Sequence, residues 1–377
     1  MRMRDTSFHE FIVRSFVACA VVLTACAEEA EPPFEPQYET ERLRIGTSLE
    51  ARICSEVMNV WEAQIDEIEQ LLGISRDFAW LYLYADDETG TIGMDCGKDV
   101  PVKGCWRDPV VRTTFEAVTH ELVHAWTATV RRGPLPLLQE GIAVRMQGNA
   151  QRAGAALTME DLYAEEIHER SYPAAGHFVA WLIATHGVER FMELYARSAR
   201  KMTPAATSAL FLDVLGSTAE EVVLDYSTHS KELYPGAGAL ACGRAEPVAW
   251  KGDAAVWYAD GSCEGGGWWG FEGSWGLERV TIELTTSGSY VFDTGGREFW
   301  LTHCLTAPAD ESELPELPSG VTEDGRLSSP LDLRYFITDE EAGVLELPAG
   351  TYEVGVLRRR NEELELMPPT EMSLRKS

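Results

Sequence analysis

The spacing of apolar residues changes once along the chain, near residue 235, and this change limits what each half can fold into. From residue 54, Val57, Met58, Trp61, Ile65, Ile68, Leu71 and Leu72 recur at helical spacing, with polar residues between them and Gly73 as a stop. The same spacing returns over 113–130, 136–147, 173–186, 188–199, 204–215 and 218–229. Phe78 to Tyr84 interrupts it as an aromatic-rich strand ending at a turn, Ala85-Asp86-Asp87. Beyond 235, alternation takes over in Val280-Thr281-Ile282-Glu283-Leu284, Ser289-Tyr290-Val291-Phe292, Phe299-Trp300-Leu301, Val344-Leu345-Glu346-Leu347 and Tyr352-Glu353-Val354-Gly355-Val356. A 3.6-residue period makes one apolar stripe on a helix, and a period of two makes one apolar face on a sheet. The chain therefore reads as α+β. A mainly helical domain with a small N-terminal sheet spans 42–235, and an all-β sandwich follows over 236–365. The length of 377 residues lets both bury a core. Residues 308–329 read as a long acidic loop and 366–377 as a flexible tail. The Trp268-Trp269 pair in a Gly-rich stretch reads as filling of a small core.

The N-terminus sets the compartment. Arg2, Arg4 and Arg14 precede an apolar run from Phe16 to Ala25, too short for a spanning helix but suited to a signal peptide. It ends in Leu23-Thr24-Ala25-Cys26, which resembles the lipobox of bacterial lipoproteins. The resemblance implies removal of residues 1–25, acylation of Cys26 and attachment to a membrane through that lipid. Residues 26–41, acidic and proline-bearing, then read as a tether. Ala27 and Glu28 lack the Asp that marks inner-membrane retention in some bacteria, which points to the cell envelope, with the outer membrane favoured over the inner. With 61 Asp and Glu against 32 Lys and Arg, the net charge of −29 opposes nucleic acid binding and docking to anionic lipid through surface charge. After Cys19 and Cys26, six cysteines remain in an exported chain, so disulfides are expected. Cys96 and Cys105 bracket one loop and are the local pair. Three cysteines fall before residue 110 and three after 240, so full pairing needs one bridge between the halves.

The chemistry concentrates in His120-Glu121-Leu122-Val123-His124. Two histidines four apart lie on one helix face, so both imidazoles reach a single metal ion. Glu121 beside them can take a proton from water held by that metal. Phe115, Val118, Leu122, Val123 and Trp126 supply the apolar side of the helix. Catalytic zinc takes three protein ligands and keeps a position open for water. The metzincin continuation is excluded, because Thr127 and Val130 stand where its Gly and His would be.

Downstream, Leu135-Pro136-Leu137-Leu138-Gln139-Glu140-Gly141-Ile142-Ala143 resembles the second metal-binding helix of gluzincin metallopeptidases, where the ligand Glu is followed by Gly-x-Ala. Gly133-Pro134 provides a turn between the two helices. The resemblance continues through Tyr172-Pro173-Ala174-Ala175-Gly176-His177 and His186-Gly187-Val188-Glu189-Arg190-Phe191 to Val214-Leu215-Gly216-Ser217-Thr218-Ala219-Glu220-Glu221, about half the chain. It implies a zincin-like fold, Zn²⁺ held by His120, His124 and Glu140, and a peptide or protein substrate. It also implies hydrolysis with Glu121 as base and a Tyr or His as oxyanion donor. Tyr172, His168 and His177 compete for that last role, and Tyr172 is the choice. Leu347-Pro348-Ala349-Gly350-Thr351-Tyr352 is similar to the β-sandwich appended to many secreted bacterial peptidases. Two other readings stay open: a catalytically silent zincin-like surface protein that binds through its β domain, and a zinc hydrolase of non-peptide amides.

Overall fold

The structure, a computed structural model, describes residues 33–85, 88–147, 157–167, 171–259, 263, 268–270, 276–293, 299–310, 334–337, 344–358 and 370–377. Cys26 and the apolar run before it lie outside these residues, as do His168 and most of 308–329. Among the described residues no helix is long and apolar enough to cross a membrane. Residues 37–377 form one compact unit of helices and sheets.

The first sheet contains β1 (Tyr38–Glu39), β2 (Leu43–Thr47), β3 (Ala79–Tyr84), β4 (Gly104–Arg107) and β5 (Val110–Thr114), in the order β1-β2-β3-β5-β4. β2, β3 and β5 run parallel, and β4 returns antiparallel along β5. Helix α1 (Ser55–Leu72) is the crossover between β2 and β3. It buries Val57, Trp61, Gln64, Ile65, Ile68 and Leu72, one stripe of its surface. It stops at Gly73, whose left-handed φ of 64° lets its N–H reach the Glu69 carbonyl. Helix α2 (Thr89–Asp95) precedes β4. The remaining helices are α3 (Val118–Thr127), α4 (Pro136–Arg145), α5 (Met159–Tyr163), α6 (Tyr172–His186), α7 (Val188–Arg197), α8 (Pro204–Leu215) and α9 (Ala219–Thr228). One apolar core joins these helices to β2, β3 and β5.

The second half is strand-built: β6 (Glu232–Leu233), β7 (Glu246–Pro247), β8 (Trp250–Lys251), β9 (Ala254–Ala259), β10 (Trp268–Gly270), β11 (Gly276–Leu284), β12 (Gly288–Asp293), β13 (Phe299–His303), β14 (Ala309–Asp310), β15 (Arg334–Ile337), β16 (Val344–Leu347), β17 (Gly350–Arg358) and β18 (Thr370–Lys376). One sheet is ordered β10-β11-β17-β13-β15, with β7 beside β11, and another β16-β12-β18-β9-β8. Ile282, Leu301, Val354 and Val356 of the former share a buried cluster with Ala255, Phe292, Met372 and Leu374 of the latter.

Three sequence expectations need correction. Of the expected tail 366–377, residues 370–377 are not free: β18 pairs with both β9 and β12, and Met372, Ser373 and Leu374 are buried. A seven-residue segment was enough to make a central strand. The tether does not extend through 41, because Tyr38 and Glu39 pair with Ile45 and Arg44. The helix expected from residue 113 starts at 118, since β-branched Val110, Val111, Thr113 and Thr114 form β5 first and a 3₁₀ turn, Phe115–Ala117, follows.

Disulfides link Cys54–Cys263, Cys96–Cys105 and Cys242–Cys304, which places the chain in an oxidising compartment. Cys54–Cys263 is the bridge between the halves and spans 209 residues. Gln64 reinforces that junction: its Nε2 donates to the Met146 carbonyl at 2.9 Å, and its Oε1 accepts from the Ala239 N–H at 2.8 Å. The denatured chain loses more freedom to a long closed loop than to a short one. Replacing both Cys54 and Cys263 by Ser should therefore cost stability of about 2–5 kcal/mol, more than the same change at Cys96 and Cys105. Chemical denaturation of the two double variants checks the order.

Candidate metal centre

Helix α3 is buried over all ten of its residues, so its polar groups depend on one another for partners. Its apolar side chains enter the core, and its ends are anchored by side chains from elsewhere. The Trp126 indole N–H donates to Glu69 at 2.8 Å, and Arg76 donates to the Ala125 carbonyl at 2.9 Å. After α3 the chain turns at Gly133, whose φ of 68° favours glycine, and α4 begins at Pro136. α4 packs against α6 at Gly141. A Cβ there would lie 2.5 Å from the Ala175 carbonyl oxygen and 2.5 Å from Val179. The Gly of the Glu-Gly-x-Ala sequence thus sets how close Glu140 comes to the centre.

The three expected ligands converge. His120 Nε2 is 3.1 Å from His124 Nε2 and 3.2 Å from Glu140 Oε2, and His124 Nε2 is 3.3 Å from the same oxygen. His120, His124 and Glu140 form a group that could hold a metal ion. Bonds of about 2.05 Å at tetrahedral angles separate neighbouring ligands by about 3.3 Å. The triangle of donor atoms therefore matches one face of such a coordination sphere, and two imidazoles with one carboxylate suit a borderline divalent cation. The side chains are 9%, 9% and 16% exposed, so the group is largely shielded from solvent. His124 Nδ1 is buried without a hydrogen-bond partner, so this imidazole is held by packing and by Glu140.

The electrostatics follow from burial and proximity. Burial opposes a charge on Glu140, but the neighbouring imidazoles outweigh it and hold the carboxyl well below its ordinary range. Burial likewise opposes a proton on His124, and the Glu140 charge and hydrogen bond overcome this, pushing the imidazole up to about 9. Glu121 is raised by burial, against the lowering effect of His124 and His120. Its carboxylate lies beneath β4, where a Cβ on Gly104 would be 2.6 Å from its Cγ and 2.7 Å from its Oε1. The Tyr172 ring, at the start of α6, stacks on His120 with centroids 5.7 Å apart and planes 9° apart.

His177 is removed from the contest for a donor role. Its Nε2–H donates to the Glu232 carbonyl at 2.6 Å, which leaves Nδ1 to accept from the Tyr226 hydroxyl at 2.7 Å. It is fully buried, and burial lowers its pKa, so it is a neutral structural histidine. Gly104 was invisible as a site residue from sequence. Its one signal is its place beside Cys105, which ties the strand under which Glu121 sits.

No protein-family model and no curated protein matches the chain. Three solved chains do match. One is Salmonella Typhimurium PliG, a periplasmic lysozyme inhibitor of g-type lysozyme, with 18% identity over 34% of this chain and 91% of that one and a TM-score of 0.15. A score of 0.15 defines no shared fold, so the site is read from its own geometry.

A cation needs the His124 lone pair and so competes with the proton this imidazole keeps up to about pH 9. Affinity for Zn²⁺ should therefore rise from pH 6 to pH 8, with proton release on binding. Calorimetric titration in buffers of different ionisation enthalpy measures both. His120→Ala, His124→Ala or Glu140→Ala should each weaken binding by at least about tenfold.

Proposed function

We propose that the chain is a zinc metallopeptidase of gluzincin type, exported and held in the cell envelope by a lipid on Cys26. Residues 42–235 form its zincin-like catalytic domain and residues 236–365 a β-sandwich. The observation that carries this reading is the convergence of His120, His124 and Glu140 beside a buried Glu121. A site for Mg²⁺ or Ca²⁺ would be lined by oxygens, whereas two imidazoles and one carboxylate form the ligand set of many zinc hydrolases.

Zinc in this site supplies Lewis acidity, acidifying a water that it coordinates and polarising a substrate carbonyl. The rest is the work of side chains. Glu121 accepts the proton released as water attacks and passes it to the leaving amine. Its burial raises its proton affinity, which suits a group that must both take and return a proton. His120, stacked on Tyr172, has a fixed ring plane. Tyr172, stacked on that ring, is the group assigned to donate a hydrogen bond to the oxyanion as the carbonyl becomes tetrahedral. The apolar residues around α3 exclude bulk water from the back of the site. The three disulfides support export, and export supports the signal and lipid anchor read in residues 1–26.

Glu121→Gln should bind zinc as the wild type does and lose about 10²–10⁴ in hydrolysis of a quenched peptide library. A variant cleaving at the wild-type rate would remove Glu121 as base. A zinc-loaded wild type that cleaves nothing in the library would leave the silent surface-binding protein as the better account.

Gly104→Ala should act on the same step from outside the ligand set. The added methyl forces the Glu121 carboxylate aside, and misplacement by about 1 Å costs up to about a hundredfold in rate. Zinc content should stay at one per chain, measured by elemental analysis beside the rate.

A further inference from the structure

The turn that joins α3 to α4 is clasped by one short segment at the end of α7. Tyr195 lies in the last turn of α7, and its hydroxyl donates to Oγ1 of Thr127, the last residue of α3, at 3.0 Å. Thr127 Oγ1 in turn donates at 2.7 Å to the carbonyl of Val123, the residue before His124. Ser198 Oγ accepts from the Leu135 N–H at 3.1 Å, and α4 starts immediately after Leu135. The same hydroxyl donates to the Tyr195 carbonyl at 3.0 Å. The Ser198 carbonyl accepts from Arg131 Nε at 3.0 Å, and the Arg200 N–H donates to the Gly133 carbonyl at 2.9 Å. Residues 195–200 therefore hold the outgoing end of α3, the turn and the incoming end of α4.

Thr127, Tyr195 and Ser198 are all buried. Replacing both members of a buried hydrogen bond by apolar groups of the same shape is often nearly neutral, so stability alone does not call for three hydroxyls here. Direction does. Apolar packing sets how far apart α3 and α4 lie, but it is non-directional and leaves each helix some freedom to turn about its axis. A turn of about 10° carries a group about 6 Å from the axis sideways by about 1 Å. Metal–ligand distances tolerate only about 0.2 Å. His120 and His124 share a helix, so α3 alone fixes their relation, whereas Glu140 reaches them from across this turn, with its Oε2 3.3 Å from His124 Nε2.

We propose that Thr127, Tyr195 and Ser198 are positioning residues of the metal centre, a hydroxyl clamp by which the end of α7 fixes the joined ends of α3 and α4 and so presents Glu140 to the cation. The inference rests on the zinc reading of His120, His124 and Glu140 and extends the machinery of that site to α7. It makes α7, which supplies no ligand, a place from which metal affinity is set.

The test uses the full chain and Zn²⁺, with affinity read by competition against a chelating dye and stability by the melting temperature of the metal-free proteins. Thr127→Val and Tyr195→Phe each remove a hydroxyl and nearly keep the side-chain shape. Each should weaken Zn²⁺ binding about three- to tenfold, whereas Thr127→Ser, which keeps the hydroxyl, should bind within about twofold of wild type. In a Glu140→Ala background, Tyr195→Phe should make no further difference, because the ligand that the clamp places is gone. Wild-type affinity with a lowered melting temperature, or an equal loss in both backgrounds, would assign the hydroxyls to core stability alone and overturn the inference. Should Thr127→Val fail to fold, Tyr195→Phe decides, since it leaves Thr127 bonded to Val123. A wild type that binds no Zn²⁺ overturns this inference together with the zinc reading. One that binds Zn²⁺ and cleaves nothing removes only the peptidase, and the affinity comparison decides as before.

Discussion

Glu140 carries a charge into the interior, and the surrounding structure is organised around the cost of doing so. An isolated buried carboxylate costs several kcal/mol even after relaxation, and only close, well-placed partners offset this. Here the partners are two imidazoles from the neighbouring helix, at 3.2 and 3.3 Å. They can reach it only if α3 and α4 hold a fixed distance, and that distance is not set by polar groups. It comes from the burial of all ten α3 residues and from the missing side chain at Gly141, which lets α4 settle against α6. Apolar packing thus places the charges, and the charges then give α3 and α4 a single favourable register.

The sheet contributes differently. β5 is paired on both sides, whereas β4 sits at the margin and is tied back by Cys96–Cys105. An edge strand has half the hydrogen bonds of a central one and moves more easily. A cross-link beside Gly104 compensates at the place where the strand covers Glu121. The junction with the second half is braced by Cys54–Cys263 and by Gln64, which bonds to Met146 and Ala239. Met146 immediately follows α4, so the helix carrying Glu140 is anchored through both parts of the molecule.

Much of this was legible in the sequence, and what escaped has physical causes. The helices from 172 to 228 lie within two residues of their apolar patterns, because period 3.6 sustained over ten or more residues leaves little room for another fold. The pairing of His120 with His124 needed only a helix. Glu140 needed a resemblance, since no local pattern says where a second helix will return. Residues 113–117 looked helical because Gly and Pro are absent, yet β-branched residues and the neighbouring β3 drew the start of that run into the sheet. β18 looked like a tail because its strand partners lie far back in the chain, at Gly288–Asp293 and Ala254–Ala259. His177 was a reasonable donor candidate until its two ring nitrogens were seen to be spent on Tyr226 and Glu232. A sequence shows that a histidine exists but not which of its nitrogens is free.

Gly104 and Gly141 carry this further. Neither has a group that can bind, donate or accept through a side chain, yet each fixes the place of a carboxylate: Gly104 that of Glu121 and Gly141 that of Glu140. The two carboxylates need opposite environments. Glu140 is stabilised as an anion by the imidazoles, whereas Glu121 is pushed by burial toward holding a proton. Chemically identical side chains acquire these tendencies because one is packed beside two bases and the other beneath a strand without a side chain. A substitution that preserved every polar residue but filled either glycine would bring the two environments closer together, and with them the distinction between holding a cation and moving a proton.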